Sequence, residues 1–221
     1  MIFGNLSSVF NAAVDDGLIV RNPCRAGSVR VPKREARRVV PWTAERVGAV
    51  HDALPERYRI AATLAAGLGL RQGEVFGIAV EDVDFLRGWV KARRQVRLFS
   101  SGELAFRAPK GNKEREIPLP DSVRDELAAH LSAFPARAVT LPWSVPDGRP
   151  STAHLVLTAP ESEALKRNSF NRNVWAPAVK QAGVVQTRDD GMHACRHFFA
   201  SVRFVDLMRK LAAQDETIRT R

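Results

Sequence analysis

Residues 191–201 read GMHACRHFFAS, and this run near the C-terminus carries the two most informative side chains of the sequence. His193 and Arg196 are three residues apart, so on a helix they lie on one face. Histidine exchanges a proton near neutral pH, and arginine is a permanent cation that binds phosphate oxygens. The pair therefore suits a phosphate whose ester bond is being broken or made.

A metal site is the alternative interpretation of the same run. His193 and His197 are four residues apart and could bind one ion from a helix face. Cys195 points away from both, so no third ligand is supplied locally, and we expect no metal here. Cys195 itself is expected to be a small buried residue without a chemical role.

Two upstream segments add further candidates. Residues 64–78 read LAAGLGLRQGEVFGI, where Arg71 follows a glycine-rich break and Glu74, one turn on, can brace it. Residues 105–120 read AFRAPKGNKEREIPLP, a basic hairpin that carries Lys110. A lysine in such a turn is often only solvent-exposed, but it can also act as a general acid.

The order Arg71, Lys110, His193 and Arg196 resembles the active site of the tyrosine recombinases, the phage and bacterial integrases. The resemblance implies that the two arginines hold the scissile phosphate. It also implies that the histidine supports proton transfer and that the lysine protonates the leaving 5′ oxygen. In this family a tyrosine then forms a 3′ phosphotyrosyl link, so no nucleotide or metal cofactor is expected.

The nucleophilic tyrosine is the departure from the family pattern. The only tyrosine of the sequence is Tyr58, which lies ahead of the first arginine motif. The resemblance spans roughly residues 3–200 and stops at about residue 201. We therefore expect a domain that binds DNA and does not cleave it alone.

The charge of the chain favours a polyanionic partner. Its formal net charge is +10, and nucleic acid is the usual partner of so basic a domain. Double-stranded DNA is thus the expected partner, together with further recombinase protomers. The candidate contacts to the DNA backbone lie in a basic linker and on the hairpin: Arg34, Arg37, Arg38, Arg93, Arg94, Arg97, Lys113 and Arg115.

Composition excludes several other classes. A hydrophobic fraction of 45% over 221 residues fits an ordinary globular protein. Two cysteines make no disulfide framework and fit a reducing compartment. No apolar run approaches the ~20 residues that span a bilayer, and no secretory signal opens the chain. We expect a cytoplasmic, nucleoid-associated protein without a membrane or small-molecule partner.

The resemblance implies an α+β fold that is mainly α, with a small antiparallel three-stranded sheet, and the pattern of apolar residues gives the individual helices and strands. The predicted helices cover 5–17, 43–53, 57–67, 72–79, 121–133, 171–182 and 191–212. The predicted strands cover 88–99, 103–108 and 115–119. A loop is expected over 135–152, which is rich in Pro, Gly and Ser.

Three regions are expected along the chain. Residues 1–28 resemble the last helix of the family's separate DNA-binding domain, and residues 29–42 form the basic linker. Residues 43–221 form the recombinase-type catalytic domain, whose C-terminal part is divergent and truncated. Besides an integrase of incomplete activity, two alternatives stay open: a DNA-binding accessory or regulatory protein, and a decayed fragment without function.

Overall fold

The structure is a computed structural model that describes residues 2–31, 40–161, 163–184 and 190–219, with side chains as far as Asp206. The chain divides into two compact units, Met1–Val40 and Pro41–Arg221. Arg34, Arg37 and Arg38 lie outside the described residues. No helix in the described part of the chain is long and apolar enough to cross a membrane.

The first unit is built on one helix, α1 (Ile2–Asp15). The Asn22 side chain ties the following turn to it, because its amide donates to the Ser7 carbonyl and its oxygen accepts from the Cys24 backbone N–H. None of the residues of α1 is buried within the described structure. The helix begins three residues before the predicted start at residue 5.

The second unit contains most of the helices. They are α2 (Ala44–Ala53), α3 (Glu56–Leu68), α4 (Gln72–Gly77), α5 (Asp121–Ala133), α6 (Arg167–Phe170), α7 (Ala176–Gln181) and α8 (His193–Arg219). Thr43 caps α2 by accepting a hydrogen bond from the Arg46 backbone N–H. A π-helical turn, Asn171–Trp175, joins α6 to α7 where the sequence predicted one helix over 171–182.

The strands are short and form separate sheets. They are β1 (Val83–Asp84), β2 (Trp89–Ala92), β3 (Gln95–Leu98), β4 (Leu104–Arg107), β5 (Arg115–Pro118), β6 (Arg137–Pro142) and β7 (Pro150–Leu155). The antiparallel three-stranded sheet has the order β1-β2-β5, while β3 pairs with β4 and β6 pairs with β7. The structure is therefore mainly helical with small antiparallel sheets, as predicted.

The composition of the three-stranded sheet differs from the prediction. The expected single strand over 88–99 breaks at Arg93 and Arg94, so its two halves join different sheets. Both arginines turn toward the buried carboxylate of Asp82, with contacts of 2.7 and 3.1 Å. This shared ion pair bends the chain at a point where the sequence pattern alone reads as continuous strand.

The loop expected over 135–152 was also wrong, because β6 and β7 form a hairpin there. Val139, Ala153 and Leu155 point inward and are buried, which supplies the apolar face of a strand pair. The turn residues lie between the two strands, where Gly148 packs against the Trp143 carbonyl so closely that a Cβ would overlap it. The segment is rich in Pro, Gly and Ser because it includes the turn, and this composition predicted a loop in place of the two strands.

The core of the second unit is centred on α3 and includes large aromatic side chains. Phe170 meets the ring of Phe76 edge-on at 5.1 Å, and Trp175 is 1% exposed. Phe170 and Trp175 thus both pack in the core. The two glycines of α4, Gly73 and Gly77, let the chain at β3 approach so closely that an added Cβ would lie 3.0 Å from its backbone atoms.

Gly69 determines how α8 docks. It ends α3 with φ of 62°, a left-handed conformation that favours glycine. A Cβ at this position would lie 2.4 Å from the Phe199 ring of α8. The start of α8 therefore rests directly on the break between α3 and α4.

Replacing Gly69 with alanine should lower the free energy of unfolding for two reasons. The left-handed backbone costs an L-residue about 1–2 kcal/mol, and displacing the Phe199 ring adds about 1–3 kcal/mol. Gly102→Ala is the matched control, because its φ is 89° but nothing lies within 4 Å of an added Cβ. Urea unfolding followed by circular dichroism measures both. Equal losses for the two variants would contradict the packing of Phe199 on Gly69.

Candidate phosphate-binding site

Arg71 lies at the N-terminal end of α4, directly after the glycine-rich break. Its backbone N–H donates to Glu74 Oε2 at 2.8 Å, and its Nη1 donates to Glu74 Oε1 at 3.0 Å. Glu74 thus reaches back over the first turn of the helix, as a residue three positions on can do. The Arg71 side chain is 36% exposed, so it is braced and still accessible.

Glu74 also binds Arg115 from β5, which the sequence did not indicate. Nη1 and Nη2 of Arg115 donate to the two carboxylate oxygens at 3.0 and 2.7 Å, in the bidentate geometry typical of arginine. The Glu74 side chain is fully buried. Burial raises the pKa of Glu74, but the hydrogen bonds from Arg115 and Arg71 outweigh it and leave the pKa below its ordinary value.

The first turns of α8 carry His193 and Arg196, and they lie beside the break that precedes Arg71. Met192, Ala194 and Cys195 are buried on the inner side of this segment, which leaves His193 exposed. Arg196 Nη1 donates to the backbone carbonyl of Gly69, two residues before Arg71. Burial raises the pKa of the Cys195 thiol to about 12, in keeping with the absence of a chemical role for it.

The pKa of Arg196 reports which charges surround it. Burial lowers it, Arg71 and Arg115 lower it further, and Glu74 raises it. The contacts agree with this, because Arg71 and Arg115 share the Glu74 carboxylate and Arg196 binds the Gly69 carbonyl beside Arg71. An excess of positive charge in one place is a binding site for an anion.

His193 lies beside the same charges. Partial burial lowers the pKa of His193, and His197, Arg196 and Arg71 lower it further. Its imidazole is therefore mainly neutral at neutral pH and can accept a proton. The rings of His193 and His197 meet edge-on, with centroids 4.5 Å apart. Within the described residues no group of three or more metal-ligating side chains is found.

Lys110 lies in the exposed turn between β4 and β5, beside Gly111 and Asn112, both of which have positive φ. The described contacts do not connect it to Arg71, His193 or Arg196. The start of its turn is held to β3 by Gln95, whose Nε2 donates to the Ala108 carbonyl at 2.7 Å. The role of Lys110 as general acid stays a prediction.

The other proposed backbone contacts differ in accessibility. Arg94 is buried, and its guanidinium binds Asp82, which makes it a support for the chain bend and unsuited to contacting a DNA phosphate. Arg93 shares Asp82 but is 38% exposed. Arg97 is exposed over the Phe99 ring, and Lys113 is exposed in the hairpin turn.

The described contacts of Tyr58 are with the core and do not include Arg71, His193 or Arg196. It is on α3 and packs against the core, where its ring meets Phe170 edge-on with centroids 5.7 Å apart. Burial raises the pKa of its hydroxyl, which makes the phenolate less available at neutral pH. Both features are typical of a structural tyrosine.

Comparison with known proteins gives the same family throughout. The profile of the phage integrase family matches residues 33–203. A tyrosine recombinase XerC-like protein of Caldanaerobacter subterraneus is 27% identical over 90% of this chain and 53% of its own length. The integrase of Mycobacterium phage L5 is 29% identical over 57% of this chain and 34% of its own length. The chain spans about half the length of the first of these relatives.

Solved structures show the same fold. The Tn1549 transposon integrase, in complex with a circular intermediate DNA, superimposes with a TM-score of 0.70 and 18% identity, over 89% of this chain and 63% of that one. A lambda integrase dimer bound to a core site gives a TM-score of 0.59 and 20% identity, over 90% and 64% of the two chains.

Replacing Glu74 with glutamine should lower stability at neutral pH by about 1–3 kcal/mol, since buried groups lose a charged partner. The Glu74 pKa is lowered on folding, so its contribution is present above the ordinary value of 4.5 and is lost as pH falls through the folded value. The difference between wild type and variant should therefore shrink in acid, as measured by urea unfolding across pH. Glu116→Gln is the control, because Glu116 is exposed on β5 next to Arg115. A difference that stays constant with pH would contradict the assignment.

Proposed function

Because the chain belongs to the phage integrase family, we propose that it acts on double-stranded DNA as a site-specific recombinase whose scissile phosphate is held by Arg71 and Arg196. One observation carries the proposal. Arg71, Arg115 and Arg196 are far apart in sequence, yet Arg71 and Arg115 both bind Glu74, and Arg196 binds the Gly69 carbonyl two residues before Arg71.

The charges of this cluster suit a phosphodiester. Glu74 neutralises one of the three guanidinium charges, which leaves an excess for an anion. The side chain of Arg71 is more than one-third exposed and donates from Nη1 to Glu74, so other N–H groups stay available. Donors fixed in this way stabilise the charge that develops on non-bridging phosphate oxygens without reorganising during the reaction.

His193 couples proton transfer to the presence of the phosphate. In the free protein, partial burial first and then its cationic neighbours hold the pKa of His193 down. A bound phosphate brings negative charge among them, which favours the protonated imidazole. His193 would then take up a proton as DNA binds and support proton transfer there, while Lys110 on its turn would protonate the leaving 5′ oxygen. These roles require neither a nucleotide nor a metal cofactor.

We assign no nucleophile to this sequence. In the described structure Tyr58 packs against Phe170, and none of its contacts is with the arginine cluster formed by Arg71, Arg115 and Arg196. Transition-state stabilisation by arginines does not supply the attacking atom, and loss of a nucleophile costs on the order of 10⁶ in turnover. The packing of Tyr58 thus favours a second candidate function, a DNA-binding accessory or regulatory protein that occupies a site without cutting it.

One observation bears on the third alternative, a decayed product. Val202, Phe204 and Val205 are exposed on α8, with Phe204 at 63%. Single exposed apolar residues are ordinary on protein surfaces, but three within four positions of one helix are unfavourable in water. An isolated chain with low stability would support this alternative.

The proposed partners are DNA and further protomers. Among the solved structures of similar fold is a lambda integrase tetramer bound to a Holliday junction, which covers 90% of this chain with a TM-score of 0.62. By analogy we propose that this chain binds DNA together with other copies. Its place in the cell would then be the cytoplasm, on the DNA of the nucleoid, as for a protein of a phage or mobile element.

DNA binding should depend steeply on salt. About six phosphate contacts from the linker and hairpin give a slope of about −5 in a plot of log affinity against log salt, from ~0.9 per contact. Changing Arg34, Arg37 and Arg38 to alanine should weaken binding to all sequences alike and reduce the slope by about 2.7. A gel-shift titration measures both.

The control for this experiment removes the same charge elsewhere: Arg87, Arg124 and Arg137 to alanine. It should leave the slope nearly unchanged, since none of these is a proposed contact. Absence of any DNA binding at low salt would refute the proposed function. Equal slopes for the two triple variants would refute the proposed contacts of the linker but not the proposed function.

Cleavage through Tyr58 should not occur. For attack, its hydroxyl would have to leave the core and reach a phosphate held by Arg71 and Arg196, in line with the 5′ oxygen. A second copy of this sequence would offer only Tyr58 again. Incubation with a suicide DNA substrate should therefore trap no covalent protein–DNA adduct. An adduct that disappears in Tyr58→Phe would show that this assignment is wrong.

A further inference from the structure

The four tryptophans of the chain fall into two pairs with different surroundings. Trp89 and Trp143 are exposed, at 43% and 38%. Trp42 and Trp175 are buried, at 5% and 1%, and their rings stack nearly parallel with centroids 6.3 Å apart. The buried pair joins residues that are far apart in sequence, one just before α2 and one at the end of the π-helical turn.

Both buried indoles donate to the same residue. Trp42 Nε1 donates to Asp190 Oδ1 at 3.0 Å, and Trp175 Nε1 donates to the Asp190 backbone carbonyl at 2.9 Å. Asp190 is itself 7% exposed. A buried hydrogen bond of this kind fixes position, because breaking it leaves a desolvated polar group without its partner.

Asp190 lies immediately before the helix that carries the site. Gly191 and Met192 follow it, and α8 begins at His193. The Ala194 N–H donates to the Gly191 carbonyl at 2.8 Å, and Met192 is buried. Only two residues therefore lie between the anchored aspartate and the histidine of the phosphate site.

We propose that Trp42 is a positioning residue for His193, acting through its hydrogen bond to Asp190. The proposal rests on the proposed function only in assigning His193 to phosphate chemistry; the anchor itself can be tested on the free protein. Trp42 touches neither the arginine cluster nor the site of the phosphate, so it acts only through the segment that it holds.

A helix terminus needs such an anchor. The first N–H groups of a helix have no partner within it, and helix ends fray. Here the chemistry depends on the first turn. Arg196 has a hold of its own through the Gly69 carbonyl, whereas His193 is exposed and depends on the segment before it. Loss of the anchor should therefore affect His193 more than Arg196.

The anchor also connects the site to the segment that enters the domain. Val40 and Pro41 are exposed, and Trp42 directly after them is buried. Thr43 then caps α2. The point at which the chain enters the second unit is thus fixed to the start of α8, so displacement of Trp42 would be felt at His193.

Trp42→Phe tests the proposal, since it keeps an aromatic ring and removes the indole N–H. The readout is the titration of the His193 ring by NMR in the free protein. Its pKa is held down by burial and by His197 and Arg196 of α8 and Arg71 before α4. A loosened first turn moves His193 away from these groups, so its pKa should rise toward 6.5.

Trp89→Phe and Trp143→Phe are the matched controls and should leave the His193 titration unchanged. Trp175→Phe removes the second bond to Asp190 and should shift the His193 pKa in the same direction, which keeps the test available if Trp42→Phe does not fold. In the wild type, the indole N–H groups of Trp42 and Trp175 should exchange with solvent far more slowly than those of Trp89 and Trp143.

Affinity for DNA gives the second readout. Trp42→Phe should weaken binding about tenfold, the factor that corresponds to 1.4 kcal/mol, without the change in salt slope that removal of a phosphate contact produces. An unchanged His193 pKa in folded Trp42→Phe and Trp175→Phe would overturn the positioning role. The third outcome is that the variants shift the His193 pKa but the wild type binds no DNA. This result would sustain the anchor and refute the proposed function instead.

Discussion

The arrangement of the site depends on the buried carboxylate of Glu74. It accepts from the backbone and side chain of Arg71 and from both terminal nitrogens of Arg115. A buried carboxylate without partners would be protonated or would destabilise the fold. Glu74 therefore needs the two arginines as partners, and it orients them in turn. The cost of burying Glu74 is offset by the bonds that aim Arg71. Stability and site geometry are therefore one constraint.

Helix α8 completes the site under a second constraint, which is steric. The left-handed turn at Gly69 leaves room for the Phe199 ring and presents its carbonyl to Arg196. The break that releases Arg71 from α3 is therefore also the surface on which α8 docks. One glycine accounts for the proximity of two arginines that are far apart in sequence, and Asp190 fixes where the same helix begins.

The sequence could predict what depends on neighbours along the chain. The brace between Arg71 and Glu74 follows from a spacing of three on a helix, and α5 has the bounds that its apolar periodicity indicated. Arg115 lies 41 residues from Glu74, so no local pattern shows that it faces inward. The break at Arg93 likewise depends on Asp82, and β6–β7 was hidden by the composition of its turn. The miss at Arg115 thus concerns a contact between distant segments, whereas the missed β6–β7 pairing is local.

The same distinction applies to Arg115 and Arg94, which the sequence predicts as contacts to the DNA backbone. A basic residue on a hairpin reads as solvent-exposed unless its carboxylate partner is known, and both partners, Glu74 and Asp82, lie on other elements. In a chain of net charge +10 the few buried acids therefore decide which cations stay available to a polyanion. Asp82 holds the Arg94 side chain in a buried position. Arg71 also binds a buried carboxylate, Glu74, which it shares with Arg115, but its own side chain stays partly exposed. Shared carboxylates of this kind separate the arginines that support the fold from those that can bind a phosphate.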